Sequence, residues 1–354
     1  MKKVLQFFLF LGIGVGIMYL VFRSQRTAFQ EQCRLDGVPP EQCSMTDKLL
    51  HDFSTVHLGW LLAVIVAFTL SNIFRALRWQ MLLEPMGYRV KFSNSLLTIL
   101  LGYFANLGFP RMGEVIRAGS LARYERLPLE KVVGTLVIDR LMDVVCLAAV
   151  VGLAFLLEGD TLLHFLRQPK PGAAAVADTP LWQSPVTLVL LLLFAAAIMA
   201  FFFFREKLME VALVKKMLGM LQGFWDGLRS ILKLKKPGLF LLYSGGIWVM
   251  FYLQCYFNLQ SFPPTAHLGG SAALMIFVFG TLGFLIPSPG GMGTYHALCI
   301  MGLALYGVNG SDALSYANIA FFAIQIFYNL IAGTLALQLL PVINKRKDDP
   351  VRAD

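Results

Sequence analysis

Residues 106–117 read Asn-Leu-Gly-Phe-Pro-Arg-Met-Gly-Glu-Val-Ile-Arg, and this stretch decides the fold. Three charged side chains, Arg111, Glu114 and Arg117, follow the apolar run 96–107, with glycine and proline between. Each charge at membrane depth costs about 2.5–3.5 kcal/mol, and broken backbone is tolerated there only inside protein or beside a water-filled cavity. The stretch therefore predicts a site for a polar ligand within the membrane. The simpler alternative is a cytoplasmic loop close to the membrane.

Composition places the chain in a membrane. Of its 354 residues, 57% are hydrophobic and 14% are charged, whereas soluble domains carry about 25% charged residues. Six apolar windows have the roughly 20 residues that cross about 30 Å of hydrocarbon. We therefore expect an all-α polytopic membrane protein with about six crossing helices, at 4–22, 58–83, 132–157, 185–204, 239–259 and 313–340.

The distribution of charge orients these helices. The net charge of +9 would by itself suit a nucleic-acid-binding protein. With the N-terminus inside, however, most Lys and Arg residues fall in cytoplasmic segments, as the positive-inside rule requires. We therefore expect a bacterial plasma (inner) membrane protein with both termini in the cytoplasm, an uncleaved anchor at 4–22, and no nucleic-acid partner.

Two pairs of apolar segments, at 94–127 and 271–308, are too short to cross twice. Each is broken by Gly and Pro, and a half of about 13 residues spans only about 20 Å as a helix. A re-entrant hairpin at 94–127 keeps the basic residues from Arg111 onward inside. The second hairpin enters from the other side, so 58–158 and 239–344 are expected to form an inverted repeat around broken helices, as in secondary transporters.

The remaining segments flank or connect the two repeats. Residues 1–57 are expected to hold the anchor helix and an outer loop, where a disulfide between Cys33 and Cys43 would persist in an oxidising compartment. Residues 159–238 comprise a second outer loop, a connecting helix and a basic amphipathic segment on the inner leaflet. Residues 345–354 are a cytoplasmic tail.

A second group of charges lies within an apolar crossing helix. Asp139, Arg140 and Asp143 need internal partners at that depth, and Arg111 or Arg117 is the candidate. An arginine beside the first amides of a half-helix would also bind phosphate. The alternative is a purely structural ion cluster, which the spacing explains equally well.

Other charged residues have simpler explanations. Glu114 and Arg117 share a helix face at i, i+3 and can pair with each other. Arg75 and Arg78 lie near the inner end of the window 58–83. Because long basic side chains commonly extend to the interface, we expect these two arginines to do so.

The second break reads Pro-Ser-Pro-Gly-Gly-Met-Gly at 287–293. Two prolines and three glycines rule out a continuous helix. The first amides of the next half-helix would offer a second polar patch beside Tyr295 and His296. The sequence contains no P-loop, nucleophile elbow or zinc motif, so neither a cofactor nor a metal is expected.

Three motifs together resemble one family. They are Asn-x-x-x-Pro-Arg-x-Gly-Glu-x-x-Arg at 106–117, acidic-Arg-x-x-Asp at 139–143 and Pro-x-Pro-Gly-Gly-x-Gly at 287–293. This set resembles the flippase-like integral membrane proteins related to the transmembrane region of lysylphosphatidylglycerol synthase (MprF-type). That family often has Glu in place of Asp139 and Glu in place of His296. The resemblance implies movement of a lipid across the bilayer, often a lipid made by a partner synthase. The aminoacyl-transferase domain of the full synthase is not expected in this chain, so we do not expect it to make lysyl-lipid itself.

These observations favour a translocase with no catalytic site. Its substrate would be a membrane lipid with an anionic or zwitterionic headgroup, held in a cavity between the hairpins. Two alternatives stay open: a scaffold or partner subunit of a lipid synthase, and an intramembrane lipid-modifying enzyme with Glu114, Asp139 or His296 as acid or base. The candidate substrate-binding residues are Asn106, Arg111, Glu114, Arg117, Asp139, Arg140, Asp143, Gly290, Gly291, Gly293, Tyr295 and His296.

Overall fold

The structure, a computed structural model, is helical in every regular element that it describes. Almost all of the described chain belongs to the first of two compact units, 1–159 with 234–354; the second is 160–233. The described residues are 43–108, 112–167, 234–286, 288 and 291–344, with scattered positions between 19 and 34. Their α-helices are α1 (Met45–Ser54), α2 (Leu58–Leu83), α3 (Phe92–Gly108), α4 (Met112–Glu125), α5 (Leu129–Arg167), α6 (Pro237–Ser261), α7 (Gly270–Leu285), α8 (Thr294–Ala304), α9 (Gly310–Phe321) and α10 (Asn329–Asn344).

Four of the described helices are long and apolar enough to cross a membrane. They agree with four of the six predicted crossings. The other two, 4–22 and 185–204, fall almost entirely outside the described residues. The basic amphipathic segment that was predicted before residue 234 also lies outside them. Helix α5 continues to Arg167, beyond the predicted boundary at 158. The four helices are Leu58–Met86, Leu129–Leu163, Pro237–Ser261 and Gly310–Asn344.

Helices α2 and α6 lie antiparallel along their whole length. Trp60 near the start of α2 stacks on Phe257 near the end of α6, with ring centroids 5.7 Å apart. At the other end Phe74 stacks on Tyr243 at 6.0 Å. A Cβ at Gly246 would lie 3.0 Å from the Phe74 ring, so a small residue there permits the close approach.

Helices α3 and α4 form the first predicted hairpin. A Cβ at Gly102 would lie 2.8 Å from the carbonyl oxygen of Gly113, so the two backbones touch near the tip. At the open end Asn94 donates a hydrogen bond of 2.5 Å to Glu125. Both predicted helices are therefore present in this segment, and residues 109–111 between them lie outside the described residues.

Helices α7 and α8 form the second hairpin. A Cβ at Gly283 would lie 2.7 Å from the Cα of Tyr295, and one at Gly302 would lie 3.2 Å from the Cβ of Phe279. Contacts between late residues of one helix and early residues of the other define an antiparallel pair. The helix α8 ends at Ala304, four residues earlier than predicted.

The two hairpins open at opposite ends of the α2–α6 pair. The first opens beside the end of α2, where Gln80 donates to the Val90 carbonyl at 2.8 Å. The second opens beside the end of α6, where Gln260 donates to the Leu268 carbonyl at 3.2 Å. Because α2 and α6 are antiparallel, these are different ends of the bundle. This arrangement is the one that the predicted inverted repeat requires, while re-entrant placement in a bilayer stays a prediction.

The helix from Gly310 to Asn344 contacts both hairpins. Its first half, α9, packs on the second hairpin through Tyr316 and Ala317. Its second half, α10, packs on the first hairpin through Ala336 and Leu340. Between the halves, Phe322–Tyr328 form a π-helix, a feature often found at functional sites. The disulfide considered between Cys33 and Cys43 is also formed.

Candidate functional site: a buried cluster of arginines and carboxylates

Charged side chains from three helices meet beside the tip of the first hairpin. Two come from α2, two from α4 and three from α5. Helix α5 begins at Leu129, so Asp139 lies about 15 Å along it, within the candidate membrane span Leu129–Leu163. We call these seven residues the arginine cluster: Arg75, Arg78, Glu114, Arg117, Asp139, Arg140 and Asp143.

Arg78 lies at the centre of the arginine cluster and is fully buried. Its Nη2 lies 2.6 Å from the Oδ1 of Asp139 and 2.7 Å from the Oδ1 of Asp143. Its Nε donates to Asp139 at 2.9 Å, and its Nη1 donates to the Ser244 hydroxyl at 3.3 Å. Each guanidinium nitrogen of Arg78 thereby has a protein partner, which indicates a structural role.

Arg117 and Arg75 are buried but far less completely paired. The Nη1 of Arg117 lies 3.4 Å from Asp139, and its guanidinium lies 3.9 Å above the Trp79 ring. The Nη1 of Arg75 lies 3.5 Å from Asp143. Within the described part of the chain, no hydrogen bond engages the Nε of Arg75 or the Nε and Nη2 of Arg117. These buried donors would suit the oxygens of an anionic ligand.

The arginine cluster opens at Glu114 and Arg140. Their side chains are 48% and 42% exposed, and the Oε1 of Glu114 lies 2.5 Å from the Nε of Arg140. That contact is an ion pair by distance only, since it lacks hydrogen-bond geometry. Arg140 also lies 3.1 Å from Asp143, as the i, i+3 spacing predicts. The possible pair of Glu114 with Arg117 is not the one observed: Arg117 faces Asp139, for which Arg117 was one of the two candidate partners.

Four arginines and three carboxylates leave the arginine cluster with one excess positive charge. A buried charge without a partner is costly, so the excess favours an anion. Planar guanidinium groups match phosphate and carboxylate oxygens. The arrangement therefore suits an anionic group beside Asp139, about 15 Å from the start of α5.

The predicted anion-binding tip of the first hairpin is partly occupied by the protein itself. The Gly113 amide, near the start of α4, donates to the Oδ1 of Asn106 at 2.8 Å. Asn106 thus caps the half-helix and takes up one of its first amides. Arg111 lies outside the described residues, so its predicted role stays a prediction.

The tip of the second hairpin is closed by its own hydrogen bonds. The Thr294 hydroxyl donates to the Gly283 carbonyl at 2.8 Å and lies 2.9 Å from the Ser288 hydroxyl. Gly291 and Gly293 have φ angles of +81° and +80°, a region that L-residues rarely adopt. The turn therefore explains these glycines, and Gly290 lies outside the described residues.

His296 lies beyond this turn and is fully buried. Its ring lies 5.6 Å from the Tyr295 ring and 4.9 Å from the Phe321 ring. Across the described chain, neither of its ring nitrogens has a hydrogen bond of standard geometry. Tyr295 itself stacks on Phe284 at 4.7 Å. The second tip is thus largely apolar and offers no permanent charge from these residues.

Sequence reasoning missed two members of the arginine cluster. Arg75 and Arg78 were expected to extend to the interface, and that was wrong because both are buried against α5 and α6. A signal was present: Ser71, Asn72, Arg75 and Arg78 recur at spacings of three and four. Such a polar stripe on an apolar helix marks a face that packs on other polar groups.

A separate cavity of about 370 Å³ lies between the start of α2 and the π-helix. Its lining is apolar, and it shares no residue with the arginine cluster. It offers space to hydrocarbon and nothing to a charged group. The lining includes Phe53, Leu61, Ile65, Ile319, Phe322 and Phe327.

Membrane-length helices around a buried charged cluster define a multi-pass membrane protein with a polar interior. The chain belongs to the family described as the lysylphosphatidylglycerol synthase TM region, which matches residues 46–333. The resemblance read from the three motifs is thereby confirmed. A similar protein is the UPF0104 membrane protein MJ1595 of Methanocaldococcus jannaschii, 34% identical over 86 residues. That match spans 23% of this chain and 26% of the archaeal protein. No solved structure matches the chain.

Proposed function

We propose that this protein moves a phosphate-bearing lipid across the membrane, with the headgroup passing through the arginine cluster. One observation carries the proposal: buried donors of Arg75 and Arg117 have no hydrogen-bond partner among the described residues. Unsatisfied buried donors are rare in folded proteins. A phosphate oxygen would satisfy them and neutralise the excess charge.

The fold supports passage rather than permanent storage of the ligand. Broken helices that meet near the middle of a bundle recur in secondary transporters. The exposed pair Glu114–Arg140 provides an opening, and the π-helix provides a break in the helix that touches both hairpins. The headgroup would exchange its water shell for guanidinium donors at the opening.

The same proposal covers the setting of the protein. It is a translocase rather than an enzyme, in a bacterial plasma membrane with cytoplasmic termini. A lipid synthase that supplies the substrate is the proposed partner.

Movement of a fluorescent-tailed phosphatidylglycerol tests the proposal. Purified protein is reconstituted in vesicles, and a membrane-impermeant quencher reports lipid that reaches the outer leaflet. Arg117→Gln removes two unpaired donors. Loss of a charged hydrogen bond worth about 1.5–3 kcal/mol predicts movement at least about tenfold slower.

The matched control is Arg123→Gln, which removes an exposed arginine of the same helix α4. It should move lipid at the wild-type rate. Equal rates for both variants would overturn the proposal. Mass spectrometry of the recovered lipid separates the enzymatic alternative, because a translocase returns the lipid unchanged.

A further inference from the structure

His296 is a buried polar side chain that the arginine cluster does not use. It is fully buried in the second hairpin. The described residues give neither Nδ1 nor Nε2 a hydrogen bond of standard geometry. A buried polar group of this kind normally has a partner. The polar side chain that interacts with the His296 ring is that of Asn318, and this amide carries no charge.

The surroundings of His296 carry no charge near neutral pH. Own-helix neighbours are Tyr295 and Cys299, while α9 contributes the Phe321 ring, Asn318 and Tyr316. Asn318 already donates its amide to the Leu314 carbonyl at 2.9 Å. Helix α7 brings no titratable residue, and Cys255 of α6 is a neutral thiol at pH 7. A protonated His296 would therefore have no counter-charge from these groups.

The two hairpins differ in this respect. The first carries arginines whose charge is permanent, and the second carries an imidazole whose charge depends on a proton. A phosphate at the second tip would supply the counter-charge that an imidazolium lacks. Proton and anion would then each raise the affinity for the other, because linkage is reciprocal.

We propose that His296 is a proton-binding site through which the second hairpin accepts an anionic headgroup together with a proton. This inference rests on the proposed lipid movement and adds its coupling ion. The His296 ring contacts Phe321, the last residue before the π-helix. Protonation of His296 would change its contact with Phe321, and so could affect the helix from Gly310 to Asn344, which contacts both hairpins.

The test uses the full chain in vesicles with fluorescent-tailed phosphatidylglycerol as the probe. Movement is measured with equal pH on both sides from 5.5 to 8, and then with an imposed pH gradient. For wild type, we expect movement at least about fivefold faster at the acidic end, and net lipid accumulation driven by the gradient. His296→Gln should lose both the faster movement at acidic pH and the accumulation driven by the gradient.

A second variant guards against misfolding. His296→Phe places an apolar ring between Tyr295 and Phe321, should preserve or raise the thermal unfolding temperature, and should also lose both responses. The control His267→Gln changes an exposed histidine and should respond like wild type.

Two results would overturn the proton site. One is a wild-type pH response in either folded His296 variant; the other is wild-type movement that ignores pH and gradient. The second of these results would not contradict the proposed lipid movement itself. No movement by wild type at any pH would instead overturn the proposed function.

Discussion

Neutralising Asp139 should strongly destabilise this protein. Asp139 is fully buried and lies between Arg78, at 2.6 Å, and Arg117, at 3.4 Å. Asp139→Asn changes the shape of the side chain little but leaves two buried guanidinium groups without this counter-charge. Breaking a buried pair from one side costs about 3–5 kcal/mol, and the second arginine favours the upper part of that range.

Glu114 is the exposed carboxylate of the arginine cluster and serves as the control for Asp139. The side chain of Glu114 is 48% exposed and pairs with Arg140, itself 42% exposed. Exposed pairs contribute about 0–1 kcal/mol, so Glu114→Gln should change stability little. Asp143, at 13% exposure, contacts Arg75 and Arg78, and Asp143→Asn should fall between the two.

Thermal unfolding in one detergent, followed by the fluorescence of the five tryptophans, measures the order of these variants. We expect Asp139→Asn to unfold at the lowest temperature and Glu114→Gln close to wild type. A double variant, Arg78→Leu with Asp139→Leu, should recover much of the loss, because apolar replacement of a buried pair is often neutral. Asp139→Asn as stable as Glu114→Gln would refute the buried cluster.

Two further predictions concern a hairpin tip and the first described helix. A Cβ at Gly113 would meet the Gly102 carbonyl, so Gly113→Ala should lower the free energy of unfolding by about 1–3 kcal/mol. The control Gly119→Ala places its Cβ in open space and should be neutral or stabilising. Equal effects of the two changes in thermal unfolding would contradict the contact. Burial alone would lower the pKa of Lys48, but its bonds to Asp312 and Asp52 raise it above 10.5. The protection of the α1 amides, as the ratio of the intrinsic to the observed hydrogen-exchange rate at each pH, should therefore persist below that pH and fall as pH rises through the raised pKa. Lys48→Met should lack this step.

The membrane fold could be predicted because its signals are local. Apolar length identified the four described helices that are long enough to cross a membrane. The glycines and prolines near 108 and at 287–293 separated the two helices of each pair. The turn at the second break needs left-handed backbone at Gly291 and Gly293, which the residue types reveal directly. The order and opposite direction of the two hairpins followed from topology.

The site was predicted only in part. The members contributed by α2 depend on which face of that helix packs against the other helices, and sequence alone does not give that face. Charge at membrane depth singled out Arg117 and Asp139, and the structure brings them together. The partners Arg75 and Arg78 lie near the end of α2. At such a position the same sequence is compatible with an arginine side chain that is buried and with one that extends to the membrane interface. Their burial is decided by the long-range contact of α2 with α5 and α6.

The chemical difference between the two hairpin tips bears on how a carrier releases its substrate. A site must bind well enough to admit the headgroup and weakly enough to let it leave. Two tips with permanent positive charge would hold a phosphate at both ends of its path. Here Arg75 and Arg117 lie beside the first tip, while the described part of the second tip has His296 among aromatic rings. With the proposed proton site, affinity at the second tip would rise and fall with one proton, and exchange between the tips would take a direction set by pH.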